Sequence, residues 1–117
     1  MNILVVDDDE DSTVLLTLAL EREGWRVDTA GTLFDARRAI SANPYDVIVT
    51  DLNLPDGSGR LLMSTEMRPT ALSAAILVTG ANDELRRTQN QADGFDRCLS
   101  KPIDANEMVA TIRRLTA

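Results

Sequence analysis

The 117-residue chain has no histidine, one cysteine (Cys98) and one lysine (Lys101). Without histidine there is no histidine general base, no Ser-His-Asp chemistry and no histidine-containing zinc site; a lone cysteine removes cysteine clusters and internal disulfides. No apolar stretch approaches the roughly 20 residues of a membrane-spanning helix. Met1-Asn2-Ile3 leads straight into an apolar run with no basic segment before it, which speaks against a secretory signal. The expectation is a cytoplasmic protein with no membrane partner. Positive charge is also scarce: 12 Lys and Arg against 19 Asp and Glu give a net charge of −7. Affinity for a phosphate backbone is carried largely by Lys and Arg, so direct nucleic-acid binding is not expected. The pairs Arg37-Arg38, Arg86-Arg87 and Arg113-Arg114 are short, lie among acids, and read as solvated helix faces.

What is present is 44% hydrophobic and 26% charged residues, the ordinary make-up of a globular domain. The length suits one domain over residues 1–117. Short apolar runs alternate five times with amphipathic stretches. Strands are expected over 3–7, 26–30, 47–50, 75–79 and 97–100, and helices over 12–23, 33–41, 60–67, 83–92 and 105–115. In the last helix Ala105, Met108, Val109 and Ile112 form one apolar stripe behind Asp104, a plausible N-cap. The first helix is apolar at Val14, Leu15, Leu18 and Ala19 and ends before Gly24, a residue suited to a left-handed position. Continuous apolar runs fit strands covered on both faces. The fold predicted is therefore an α/β, doubly wound (βα)5 flavodoxin-like three-layer sandwich, with a parallel five-stranded sheet of order 2-1-3-4-5.

That order puts strands 1 and 3 side by side, where ligands bind beyond the strand ends. Strand 1 runs into Asp7-Asp8-Asp9 and strand 3 into Asp51, so several carboxylates gather at one sheet edge and call for a cation. Strand 4 ends at Thr79 and strand 5 at Ser100-Lys101-Pro102, bringing a hydroxyl and the lone ammonium to the same edge. Taken singly, each has a plain role: an acid at a strand end often caps the next helix, Thr79 suits a strand, and Lys101 suits a surface. Those roles do not account for their coincidence at one edge.

Asp7-Asp8, Asp51, Thr79 and Lys101-Pro102, with the loop Asp51-Leu52-Asn53-Leu54-Pro55-Asp56-Gly57-Ser58-Gly59, together resemble the receiver domains of two-component response regulators, the CheY-like superfamily. The resemblance spans the chain and implies a phosphoacceptor rather than a conventional enzyme. It makes Asp51 the nucleophile that takes a phosphoryl group from a phosphohistidine, and an ionised carboxylate can do this. It implies Mg²⁺ as cofactor, held by Asp8 and Asp51, by Asp7 through water and by the Asn53 backbone carbonyl; such hard oxygen ligands suit Mg²⁺. Thr79 and Lys101 would contact the phosphoryl oxygens, and the Lys101-Pro102 bond is expected to be cis. Asp9 is left as a loop acid, with compensation of the first helix dipole as a further role. The implied partners are a histidine kinase or histidine phosphotransfer protein and an unidentified downstream protein target. The surface switched would lie around helix 4, strand 5 and helix 5.

The sequence departs from the family in two places. Cys98 stands three residues before the lysine, where many receivers carry an aromatic reporter; the stretch 94–102 looks more like receivers of hybrid sensor kinases or single-domain regulators. Cys98 itself reads as inert packing. The position two beyond Thr79 is Ala81, which cannot orient an attacking water, so a long-lived phosphorylated state is expected. The polar helix at 83–92 is expected to be the mobile element. Three alternatives stand beside this reading. A small Mg²⁺-dependent phosphohydrolase using Asp51 is disfavoured by Asn53, where a second acid would be needed. A flavin or nucleotide carrier is disfavoured by the acidic first loop, and a degenerate receiver used only for docking by the complete residue set. The end at Leu115-Thr116-Ala117 fits either a single-domain regulator or a piece of a longer protein.

Overall fold

The structure, a computed structural model, describes residues 1–64, 69, 71–80 and 94–117. Its elements are β1 (Asn2–Val6), α1 (Glu10–Glu21), β2 (Arg26–Ala30), α2 (Leu33–Ala42), β3 (Val47–Asp51), a hairpin of β4 (Asn53–Leu54) and β5 (Gly57–Ser58), a 3₁₀ turn (Gly59–Met63), β6 (Ala74–Thr79), β7 (Arg97–Ser100) and α3 (Ala105–Thr116). The large sheet is parallel with order β2-β1-β3-β6-β7. With the hairpin set aside this is the expected 2-1-3-4-5 order.

Both faces of the sheet are buried at the central strands β1, β3 and β6, which is why these read as unbroken apolar runs, while the edge strands β2 and β7 are more exposed. Successive side chains of a strand point to opposite faces. Leu4, Val6, Ile48, Ala75 and Leu77 therefore pack with Leu33 and Ala36 of α2, while Ile3, Val5, Val47, Val49, Ile76 and Val78 pack with α1 and α3. α3 contributes Met108 and Ile112, fully buried; burying a side chain of that size is worth about 1.5–3 kcal/mol. Asp104 caps it, accepting from the Asn106 and Glu107 amides, and Arg113 and Arg114 sit in its last turn, where cations suit the helix dipole. At the other end of the sheet the Tyr45 hydroxyl donates to Asp28 at 2.7 Å. Burial first, and the Asp28 carboxylate second, push that phenol up to about 12.

Two expectations are corrected. The apolar residues expected to define α1, Val14, Leu15 and Leu18, are exposed, and the helix is anchored by Leu16 and Leu20 instead. The segment Val14-Leu15-Leu16-Thr17-Leu18-Ala19-Leu20 is apolar around most of its circumference, so sequence spacing does not choose the buried face. The helix expected over 60–67 is a 3₁₀ turn over Gly59–Met63, capped by the Ser58 hydroxyl, which accepts from the Arg60 amide. Residues 65–68, the stretch 83–92 where a helix was expected, and Ala81 lie outside the described residues.

Candidate functional site

Each residue of the site is held by the end of a strand. β1 stops at Val6, and Asp7 turns back on the chain: its backbone N–H donates to the Ala30 carbonyl at 2.9 Å, and its carboxylate accepts from the Asp9 amide at 3.0 Å. Asp51 closes β3, paired across the sheet with Val78. The neighbouring Leu52 amide bonds the Val78 carbonyl at 2.9 Å. The strand order thus brings the acids of β1 and β3 together: carboxylate oxygens of Asp7, Asp8 and Asp51 lie within 4.8 Å of one another. Asp7 and Asp51 are buried and Asp8 is exposed.

Lys101 follows β7, and its backbone N–H donates to the Thr79 carbonyl at 2.8 Å. The Lys101-Pro102 bond is cis, as expected. Its Nζ donates to Asp51 Oδ2 at 2.7 Å and lies 3.9 Å from Asp7. Partial burial pulls the ammonium down, but the hydrogen bond and charge of Asp51, joined by Asp7 and Asp8, outweigh it and hold its pKa above the usual lysine value. Asp7 moves up from the ordinary carboxylate value, chiefly through burial; the Asp9 amide and Lys101 oppose this, and Asp51 and Asp8 reinforce it. Three acids thus face one ammonium, an imbalance that a divalent cation would remove. The donor set, three carboxylates with no nitrogen or sulfur, fits a hard cation.

The Thr79 hydroxyl is fully buried, with Cys98 Sγ as its neighbour at 3.7 Å. Phe95 is buried in the core, and Arg97 bonds the Asp96 carbonyl from the exposed edge. Asn53 is exposed, on the hairpin that follows Asp51, and its amide reaches Asp51 Oδ1 at 3.4 Å.

Sequence reasoning missed three contributions. Asp9 is the N-cap of α1 rather than a plain loop acid: it accepts from the Asp11 and Ser12 amides and the Ser12 hydroxyl, and these bonds, the hydroxyl first, hold its carboxyl below the usual value. Its spacing to a helical stretch was the available signal. Gly59 packs so tightly on the end of β3 that a Cβ there would lie 2.1 Å from the Asp51 carbonyl oxygen. Asp56, which the sequence shows only as part of the loop after Asp51, bonds the start of α2. Its partners are 22 and 23 residues away, with no local signal.

A family model described as the response regulator receiver domain matches residues 3–113. The chain belongs to this receiver family. The receiver is 34% identical over 116 residues to the transcriptional regulatory protein PmrA of Pectobacterium parmentieri, covering 98% of this chain and 52% of that protein. The chain spans about half the length of the curated relatives it matches. Among solved structures, the beryllofluoride-activated NtrC4 receiver domain dimer matches with a TM-score of 0.88 at 32% identity, covering 98% of this receiver and 95% of that chain. A response regulator from Burkholderia pseudomallei, solved with a phosphorylated aspartic acid, calcium ion and citrate, matches with a TM-score of 0.82 at 29% identity, covering 93% and 64%. The described receiver helices include none long and apolar enough to cross a membrane.

Proposed function

We propose that residues 1–117 act as one phosphoacceptor receiver unit in which Asp51 takes a phosphoryl group from a phosphohistidine. The observation that carries this reading is the Asp51 carboxylate itself: buried at a strand end, bonded by the one lysine, and within reach of two further acids. A carboxylate oxygen attacks phosphorus, the P–N bond breaks, and its electron pair stays on the imidazole nitrogen. An acyl phosphate and a free histidine side chain result. Lys101, already at Asp51, turns its ammonium to a phosphoryl oxygen, and the Thr79 hydroxyl donates to another. Asp7, Asp8, Asp51 and the Asn53 carbonyl would hold Mg²⁺. When bound, the ion neutralises the acids and the phosphoryl oxygens between which charge redistributes. The phosphorylated aspartic acid and calcium ion of the Burkholderia pseudomallei relative support both parts of the reading.

The donor is a histidine kinase or histidine phosphotransfer protein, and the receiver promotes its own phosphorylation and dephosphorylation without being a conventional enzyme. The downstream target is a protein, contacted around β7, α3 and the segment 83–92, with no direct nucleic-acid contact by this unit. A cytoplasmic location is part of this proposal; among the described residues no helix is long and apolar enough to cross a membrane. The test is Mg²⁺-dependent labelling by a small phosphodonor, followed by intact mass, for the native chain and Asp51→Asn. One phosphoryl group per native chain and none on the variant is expected; labelling that survives the substitution sinks the assignment.

A further inference from the structure

The β4–β5 hairpin carries the Asn53 carbonyl, and each of its strands is only two residues long, paired Asn53 with Ser58 and Leu54 with Gly57. A ribbon of that size does not hold its own position in water. It needs outside anchors, and the structure supplies them at both ends. At the base, the Gly59 amide donates to the Leu52 carbonyl at 2.9 Å, and Leu52 and Leu54 are buried. At the tip, both Asp56 carboxylate oxygens are engaged: Oδ1 accepts from the Leu33 amide at 2.7 Å and Oδ2 from the Phe34 amide at 2.9 Å. The third amide of α2, Asp35, goes to the Thr32 hydroxyl at 3.0 Å. The first three donors of the helix are thus satisfied, two of them by a residue that is not the helix's own cap. The turn beside Asp56 also borders the acids, since Pro55 lines the same cleft as Asp7 and Asp8.

We propose that Asp56 is a positioning residue of the phosphotransfer site: it ties the hairpin tip to α2 and so fixes where the Asn53 carbonyl stands relative to the three aspartates. The inference rests on the metal reading above. An ordinary helix cap stabilises the fold and nothing more. A clamp on a ligand-bearing ribbon changes metal affinity in the folded protein, as partners behind metal ligands commonly do. Binding at the ribbon and the Asp56 bonds are then linked, and linkage works in both directions. Mg²⁺ strengthens the two α2 bonds, and loss of those bonds weakens Mg²⁺.

The experiment measures Mg²⁺ affinity by calorimetry for the native chain, Asp56→Ala, Asp56→Asn and Asp8→Asn, with amide exchange of Leu33 and Phe34 followed with and without Mg²⁺. The expected result is Mg²⁺ binding roughly tenfold weaker in folded Asp56→Ala. Asp56→Asn, which keeps one acceptor oxygen, should fall between that variant and the native chain. In the native protein, Mg²⁺ should slow exchange at Leu33 and Phe34. Native affinity in folded Asp56→Ala overturns the proposal and leaves the metal reading intact. If the alanine variant does not fold, native affinity in Asp56→Asn together with Mg²⁺-insensitive Leu33 and Phe34 amides overturns it equally. No Mg²⁺ binding by the native chain, or undiminished binding by Asp8→Asn, overturns the metal reading and this inference with it.

Discussion

Removing the Lys101 ammonium should destabilise the metal-free protein, and should do so mainly through Asp51. The two are 2.7 Å apart, the Asp51 side chain being 7% exposed and that of Lys101 37%. Breaking a fully buried pair costs about 3–5 kcal/mol, whereas an exposed pair is worth about 0–1 kcal/mol. Lys101 stands between these limits, with water reaching its ammonium, so Lys101→Ala should cost about 2 kcal/mol after that screening is allowed for. For a domain of this length that is a fall in Tm of about 8 °C. In an Asp51→Asn background only the more distant Asp7, at 3.9 Å, and exposed Asp8 remain to be left without a cation. The same substitution should then cost about 1 kcal/mol, leaving a coupling of about 1 kcal/mol between the two residues. Urea unfolding followed by far-ultraviolet circular dichroism, in EDTA, measures all four corners of this cycle. Equal costs in the two backgrounds, within about 0.3 kcal/mol, refute the reasoning. They would mean that Lys101 acts through its hydrocarbon stem and that the ion pair is incidental.

Gly59→Ala places a methyl group 2.1 Å from the Asp51 carbonyl oxygen and 2.6 Å from Thr50 Oγ1. The first contact is backbone, so relief is limited; a loss of about 3 kcal/mol in urea unfolding is expected, with weaker labelling of whatever remains folded. Asp9 and Asp56 have folded pKa values below the ordinary one, Asp9 chiefly through the Ser12 hydroxyl and Asp56 chiefly through the Leu33 amide. Each therefore binds its proton less readily folded than unfolded, so the stability it contributes is full above about pH 4 and is lost as pH falls through the depressed folded value. Unfolding curves of Asp56→Asn should accordingly show a flatter decline over that acid range than the native chain. An unchanged slope counts against the Asp56 bonds persisting in solution.

The sheet was legible because its central strands β1, β3 and β6 are covered on both faces and so appear as unbroken apolar runs, each closed by a polar residue. Strand order followed from alternation with helices, and the order alone brought Asp7, Asp8 and Asp51 to one edge. The face of α1 was not legible. Leu16 and Leu20 are buried and Val14, Leu15 and Leu18 exposed, yet all five are apolar; the position of the helix over β1 and β2 and beside α3 separates them. From the sequence, Asp9 was set apart from Asp7 and Asp8, but as a loop acid rather than as a helix cap. Asp7 and Asp8 join the cluster while Asp9, one residue on, adopts extended backbone angles and caps α1. The Asp56 contact with α2 depends on two segments meeting in space, and no local pattern reports that.

The division of labour proposed for the acids matches how unequally the fold treats them. Asp7 is buried and has an amide donor, yet burial still raises its pKa, so its charge is tolerated at a cost. Asp51 is equally buried but has Lys101 against one oxygen, and among the described residues its other oxygen has the long Asn53 amide contact. Asp8 is exposed and remains hydrated. On the proposed reading the nucleophile is a carboxylate held in one place with an oxygen within reach, and Asp51, bonded by Lys101 at one oxygen, suits that role. A metal ligand needs only charge and reach, which Asp7 and Asp8 have. Shifting β3 by one residue would turn Asp51 to the opposite face of the sheet. The buried run Val47-Ile48-Val49-Thr50 prevents that slip, because its alternation is already committed to the two cores. The placement of Asp51 is therefore fixed by the apolar residues that precede it, while its carboxylate is held by the lysine that arrives from the far end of the chain.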